Sequence, residues 1–104
     1  MKYFTGLKGR TLKSCFRIGD EQIVFKLYSG EVYLLHHFPD GPADVRISYI
    51  VGDLMNLVGS PILLAEESSE DKDTFYTLAT SKGCVGIQWC GRSNGPYSTA
   101  VSFN

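Results

Sequence analysis

Histidine and cysteine are scarce in this chain of 104 residues, with two of the first and three of the second. Cys15, Cys84 and Cys90 are odd in number and contain no Cys-x-x-Cys pair, which excludes a disulfide framework and a zinc cluster; reduced thiols are expected. His36 and His37 are neighbours, and in an extended chain neighbours point to opposite faces, so they do not chelate one metal ion or pair as acid and base. Long apolar runs are absent as well. Nothing approaches the roughly 18 to 20 apolar residues of a membrane span, and no apolar core follows the basic N-terminus as it would in a secretory signal. The expectation is a cytoplasmic protein without membrane contact. Ten basic and eleven acidic side chains leave a net charge of -1, so the chain carries no overall attraction for long nucleic acid. Gly-x-Ser-x-Gly elbows, Walker-type loops and Gly-x-Gly-x-x-Gly turns are also missing, which removes the common routes to acyl transfer and dinucleotide chemistry. No metal, no cofactor and no enzymatic activity are expected.

What is present is enough for a core. Apolar residues make up 43% of the chain and aromatic ones 12%, which is the composition of one folded domain spanning 1–104 and not of a disordered tail or coiled coil. Charge is unevenly spread: Lys2, Lys8, Arg10, Lys13 and Arg17 precede any acid, while Glu66, Glu67, Glu70, Asp71 and Asp73 crowd around Lys72. Two solvated ends of one body explain that distribution most simply.

The dominant periodicity is two, which predicts a mainly β protein built from an antiparallel meander and hairpins. Strands are expected over 12–18, 22–28 and 31–35, with Gly19-Asp20-Glu21 and Ser29-Gly30 as turns. The prolines and glycine of 38–42 predict a loop. Val45, Ile47 and Tyr49 alternate in a further strand. Asp53 as N-cap and Gly59 as C-cap frame one short helix near 53–58. A strand beginning at Ile62 is expected to give way to an acidic loop over 66–73 and to return over 74–80. Val85, Ile87 and Trp89 share one strand face, with Cys84, Gly86, Gln88 and Cys90 on the other. Tyr97, Thr99, Val101 and Phe103 repeat the alternation beyond Asn94-Gly95, which predicts a C-terminal hairpin.

Chemistry concentrates in the turn of that hairpin. Arg92, Ser93, Asn94 and Tyr97 combine a planar cation, two small hydrogen-bonding groups, glycine-flanked backbone N–H groups and a ring, a set suited to phosphate and base contacts. An ordinary turn, with Arg92 in water and Tyr97 in the core, uses the same residues. One histidine with Asp40 forms a general-base pair on paper, but no nucleophile is placed beside it. Tyr28, Tyr33, Tyr49, Phe75 and Tyr76 are candidates for stacking bases on a sheet face, although most are expected in the core.

Taken in order, several segments carry a resemblance: Gly-Arg-Thr-Leu at 9–12, Gly-Glu-Val-Tyr-Leu-Leu-His at 30–36, the block from Gly52 to Glu67, Phe-Tyr-Thr-Leu-Ala-Thr-Ser-Lys-Gly at 75–83 and Ser-Asn-Gly-Pro-Tyr-Ser at 93–98. They resemble a family of small bacteriophage and prophage proteins. More distantly, strand order, the short Gly-Asp-Leu helix and the closing turn resemble the phage Thoeris anti-defence proteins, sponges that capture signalling nucleotides such as cyclic ADP-ribose isomers. That resemblance implies a homo-oligomer, dimer or higher, with a ligand site between protomers, and Arg92, Ser93, Asn94 and Tyr97 as the matching positions. The chain departs from the sponge pattern at Phe38 to Asp44, where relatives carry paired cysteines, and at Pro96, where an aromatic is usual. The expectation is a counter-defence protein that sequesters a cyclic or ADP-ribose-type nucleotide without cleaving it. The alternative is an inhibitor that binds a host defence protein, anti-CRISPR-like, through its acidic loop.

Overall fold

The computed structural model describes residues 3–37, 43–92 and 99–104. After a single 3-10 turn at Phe4–Leu7, the chain forms β1 (Leu12–Ile18), β2 (Gln22–Leu27), β3 (Val32–His36), β4 (Asp44–Val51), β5 (Leu64–Glu70), β6 (Asp73–Thr80), β7 (Gly83–Arg92) and β8 (Ser102–Phe103). These build two antiparallel sheets, β1-β2-β3-β8 and β4-β7-β6-β5. The mainly β class is as expected, divided between two sheets.

Alternation decides which face each strand buries. Ile23, Phe25 and Leu27 of β2 and Tyr33 and Leu35 of β3 face inward from the first sheet, and Tyr76, Leu78, Val85, Ile87 and Trp89 face inward from the second. Phe4 lies between the sheets, its ring centroid 4.7 Å from that of Tyr76, 6.3 Å from that of Phe25 and 5.6 Å from that of Phe103. A residue outside every strand therefore joins both inner faces. At one end the segment 58–62 runs beside 9–12, with Gly9 N–H on the Ile62 carbonyl at 2.7 Å and Gly59 N–H on the Leu12 carbonyl at 2.9 Å. At the other end the Ile47 N–H donates to the Asp20 carbonyl at 2.7 Å, tying the β1–β2 turn to the edge of the second sheet.

Three expectations are corrected. The helix near 53–58 is one 3-10 turn, Leu54–Leu57; Asp53 caps it by accepting the Met55 N–H at 2.9 Å, but the chain must leave at once to reach Leu12, so no α-helix develops. The acidic segment is not a loop. Glu66 to Glu70 continue β5 in an unbroken ladder from Leu64↔Ala79 to Glu70↔Asp73, because backbone pairing with β6 outweighs side-chain polarity. Asp71 makes the tight turn with φ 57°, a left-handed conformation that aspartate tolerates. Finally, β8 pairs with β3, with Leu35 opposite Phe103, and not with β7. Period-two patterning identifies the buried face of a strand but not its neighbour, and the Phe103 ring finds Tyr33 at 5.2 Å and Phe25 at 6.0 Å in the first sheet.

Candidate functional site

Several features that are scattered in sequence meet at the end of the sandwich where the β1–β2 turn touches β4. His36 closes β3, Asp44 opens β4 and Arg92 ends β7 directly opposite Asp44. A cleft of about 340 Å³ lies there, lined by Glu21, Gln22, His36, His37, Asp44 and Val45. A second hollow of about 280 Å³ shares Glu21, Asp44 and Val45 with it and extends to Asp20 and Arg46. A drug-sized ligand occupies a cavity of about 300 Å³ or more, so the pair is large enough for one small molecule.

The walls are charged on both sides. Arg46 holds the Asp44 carboxylate with Nε at 3.1 Å and Nη2 at 3.0 Å, a fork-shaped contact that fixes the acid at the cleft rim. Arg17 reaches Asp20 at 2.5 Å and donates from Nε to the Gly19 carbonyl at 2.9 Å, which stiffens the β1–β2 turn. Arg92 is exposed and donates from Nη1 to the Gly91 carbonyl at 3.2 Å. Gly91 is needed there for a steric reason: a Cβ would lie 2.7 Å from the Thr99 Cβ and 2.8 Å from the Lys72 carbonyl oxygen. The chain returning to the first sheet thus crosses close against the end of β7.

Both imidazoles are held by that returning segment. His36 Nε2 lies 2.6 Å from Asn104 Oδ1, and His37 Nδ1 lies 2.6 Å from the Ala100 carbonyl oxygen. A carbonyl only accepts, so Nδ1 of His37 is the donor and Nε2 is left for another partner. That Nε2 is buried and has no hydrogen-bond partner among the described residues. His36 and His37 do take different partners, as their opposite directions predict, yet both border the same cleft.

Of the turn residues singled out in sequence, Arg92 stands at this end of the molecule, and Ser93, Asn94 and Tyr97 lie outside the described residues, as does Asp40. Sequence reasoning missed Glu21, Gln22, Asp44 and Arg46. The alternation Asp44, Arg46 put the last two on one strand face, but only the β4–β7 pairing brings them to Arg92. Of the aromatic candidates, Tyr33 and Tyr76 are buried, Tyr28 and Tyr49 are exposed, and Phe75 is half-buried on the outer face of the second sheet. Among the described residues no group of three or more His, Cys, Asp or Glu is arranged to hold a metal ion, and no helix is long and apolar enough to cross a membrane.

Comparison with curated proteins and with solved structures returns no match. Residues 5–103 match a family described as a domain of unknown function, so the chain belongs to the DUF7448 family.

Proposed function

We propose that this protein binds and sequesters a small signalling nucleotide, of cyclic or ADP-ribose type, at the end of the sandwich where Arg92, Asp44 and the histidine pair converge. The observation that carries this reading is the register pair Asp44↔Arg92 beside a cleft of about 340 Å³. Nucleotides need two kinds of contact. Guanidinium groups take phosphates bidentately, and Arg92, opposite Asp44 in the ladder and holding no carboxylate among the described residues, is the cation for that purpose. Carboxylates take ribose hydroxyls, and Glu21 and Asp44 line the wall. Gln22 adds an amide with both donor and acceptor for a base edge.

The cleft binds without cutting. His37 is latched through Nδ1 and its Nε2 is buried, so it works as a structural clamp on the Ala100 carbonyl rather than as an exposed proton carrier. The counter-defence role, the phage setting and the oligomeric state follow from the family resemblance, and a sponge needs only affinity and a stable cavity.

Titration calorimetry with cyclic dinucleotides and cyclic ADP-ribose isomers tests this directly. Binding is expected for the native chain and is expected to fall at least about tenfold for Arg92→Ala and for Asp44→Asn, with Glu70→Gln unaffected. Equal affinity in all four proteins would overturn the assignment of this cleft.

A further inference from the structure

A second surface lies away from this cleft, on the outer face of the second sheet. Register places Tyr49, Gln88 and Phe75 in one row across β4, β7 and β6, and Val51, Gly86, Thr77 and Glu66 in the next row, which continues onto β5. Because Gly86 has no side chain, the second row is interrupted. A Cβ built there meets nothing within 4 Å, and a hollow of about 130 Å³ opens between Tyr49, Val51, Phe75, Thr77 and Gln88. Its two aromatic side chains stand on either side of one central strand, and Tyr49 is 52% exposed and Val51 61% exposed. A soluble sheet face usually covers such positions with polar groups.

The charge around the hollow is predominantly negative. Glu66 and Glu70 project from the same face of β5, and Asp73 stands opposite Glu70. Among the described residues none of these three carboxylates is tied in an ion pair, whereas of the arginines on the same face Arg46 is already occupied by Asp44 and Arg92 stands at the end of β7, beyond Cys90 from the Gln88 row. We propose that this face docks an arginine-bearing basic segment of a partner protein, with one guanidinium seated over Gly86, between Val51 and Thr77 and against the Tyr49 and Phe75 rings of the next row, and neighbouring cations on Glu66 and Glu70. A guanidinium is the group that satisfies both halves of the surface, because it is planar enough to stack on a ring and keeps donors free for a carboxylate at its edge. A chain fits better than a single small cation, since the two β5 carboxylates are four residues apart, about 13 Å along a strand, and the hollow lies to one side of that line. The surface is independent of the nucleotide cleft and stands or falls separately from it.

The test uses the full-length chain, labelled for backbone amide spectra, titrated with three short unstructured peptides that alternate glycine with arginine, lysine or glutamate. The arginine peptide is expected to shift the amides of Tyr49, Phe75, Gly86 and Gln88 in a saturable way. Salt weakens this binding, the lysine peptide binds more weakly, and the glutamate peptide does not bind. Gly86→Leu fills the hollow while leaving every charge in place, and Tyr49→Ser removes one exposed ring without disturbing the core; each is expected to weaken the arginine peptide about tenfold. Shifts spread evenly over all acidic residues, or affinity unchanged in both variants, would overturn the proposal. So would a second copy of the chain occupying this face, seen as a dimer by sedimentation whose contact shifts map to the same four residues.

Discussion

Asp44 and Arg92 face each other across the β4–β7 ladder, although 48 positions separate them in sequence, and this pairing gathers the candidate site. Asp44 is held in place by Arg46, while among the described residues the guanidinium of Arg92 donates to its neighbouring carbonyl, that of Gly91. In the proposed reading these groups form the binding rim, and the strands behind them supply the rigidity.

Phe4 is the side chain on which the two sheets depend together. It is 1% exposed and contacts rings from both. Phe4→Ala is expected to cost about 3–5 kcal/mol, the range for emptying a large aromatic site in a core. Chemical denaturation measures it; a loss below about 1 kcal/mol would mean that the sheets pack without this bridge.

Acid stability should report on Glu31. Hydrogen bonds from Tyr33, Arg10 and Ser29 hold its carboxyl down at about 2, against an ordinary value of 4.5. Since the folded value is the lower one, the ionised group adds stability above about pH 4.5, and that contribution is lost as the pH falls toward about 2. Thermal midpoints followed across this window should fall more steeply for the native chain than for Glu31→Gln. Parallel curves would show that the cluster contributes nothing to folding.

Thiol reactivity separates the three cysteines. Burial pushes the Cys15 thiol up to about 12, so it stays protonated and covered, whereas Cys84 is exposed. Alkylation of the folded protein should label Cys84 first and leave Cys15 until unfolding. Early labelling of Cys15 would show that the first sheet opens readily.

Gly52 provides a conformational test. Its φ is +90° and a Cβ would lie 2.5 Å from the Cys84 carbonyl oxygen. Gly52→Ala should therefore destabilise by more than about 1 kcal/mol, the cost of a side chain where φ is positive with a clash added. Calorimetric melting decides it, and an unchanged midpoint would contradict the close approach of 52 to β7.

The sequence made the meander β1-β2-β3, the inward set Val85, Ile87 and Trp89, and the Asp53 cap legible, because periodicity and turn chemistry are local. It did not reveal where Phe103 would pair. Alternation reads the same whether a strand joins β7 or β3, and the choice rests on apolar partners 68 or more positions away, Tyr33 and Leu35 among them. Glu66 to Glu70 misled for the opposite reason: their polarity suggests a loop, but an edge strand that projects past the core can be polar on both faces and still keep its ladder. At the candidate site Arg92 was visible as a lone cation in a turn, while Glu21, Gln22 and Asp44 came to light only through tertiary pairing.

The central claim is that the cleft beside Arg92 holds a nucleotide intact. The most direct measurement is thermal unfolding of the purified protein against cyclic dinucleotides, cyclic trinucleotides and ADP-ribose isomers, with the ligand recovered after heating and its mass determined. A ligand at about a hundred times its dissociation constant adds about 2.7 kcal/mol, a shift on the order of ten degrees for a chain of this size. The account predicts such a shift for one member of the panel, lost in Arg92→Ala, with the ligand released unchanged. No shift across the panel, or a recovered ligand of altered mass, would contradict it.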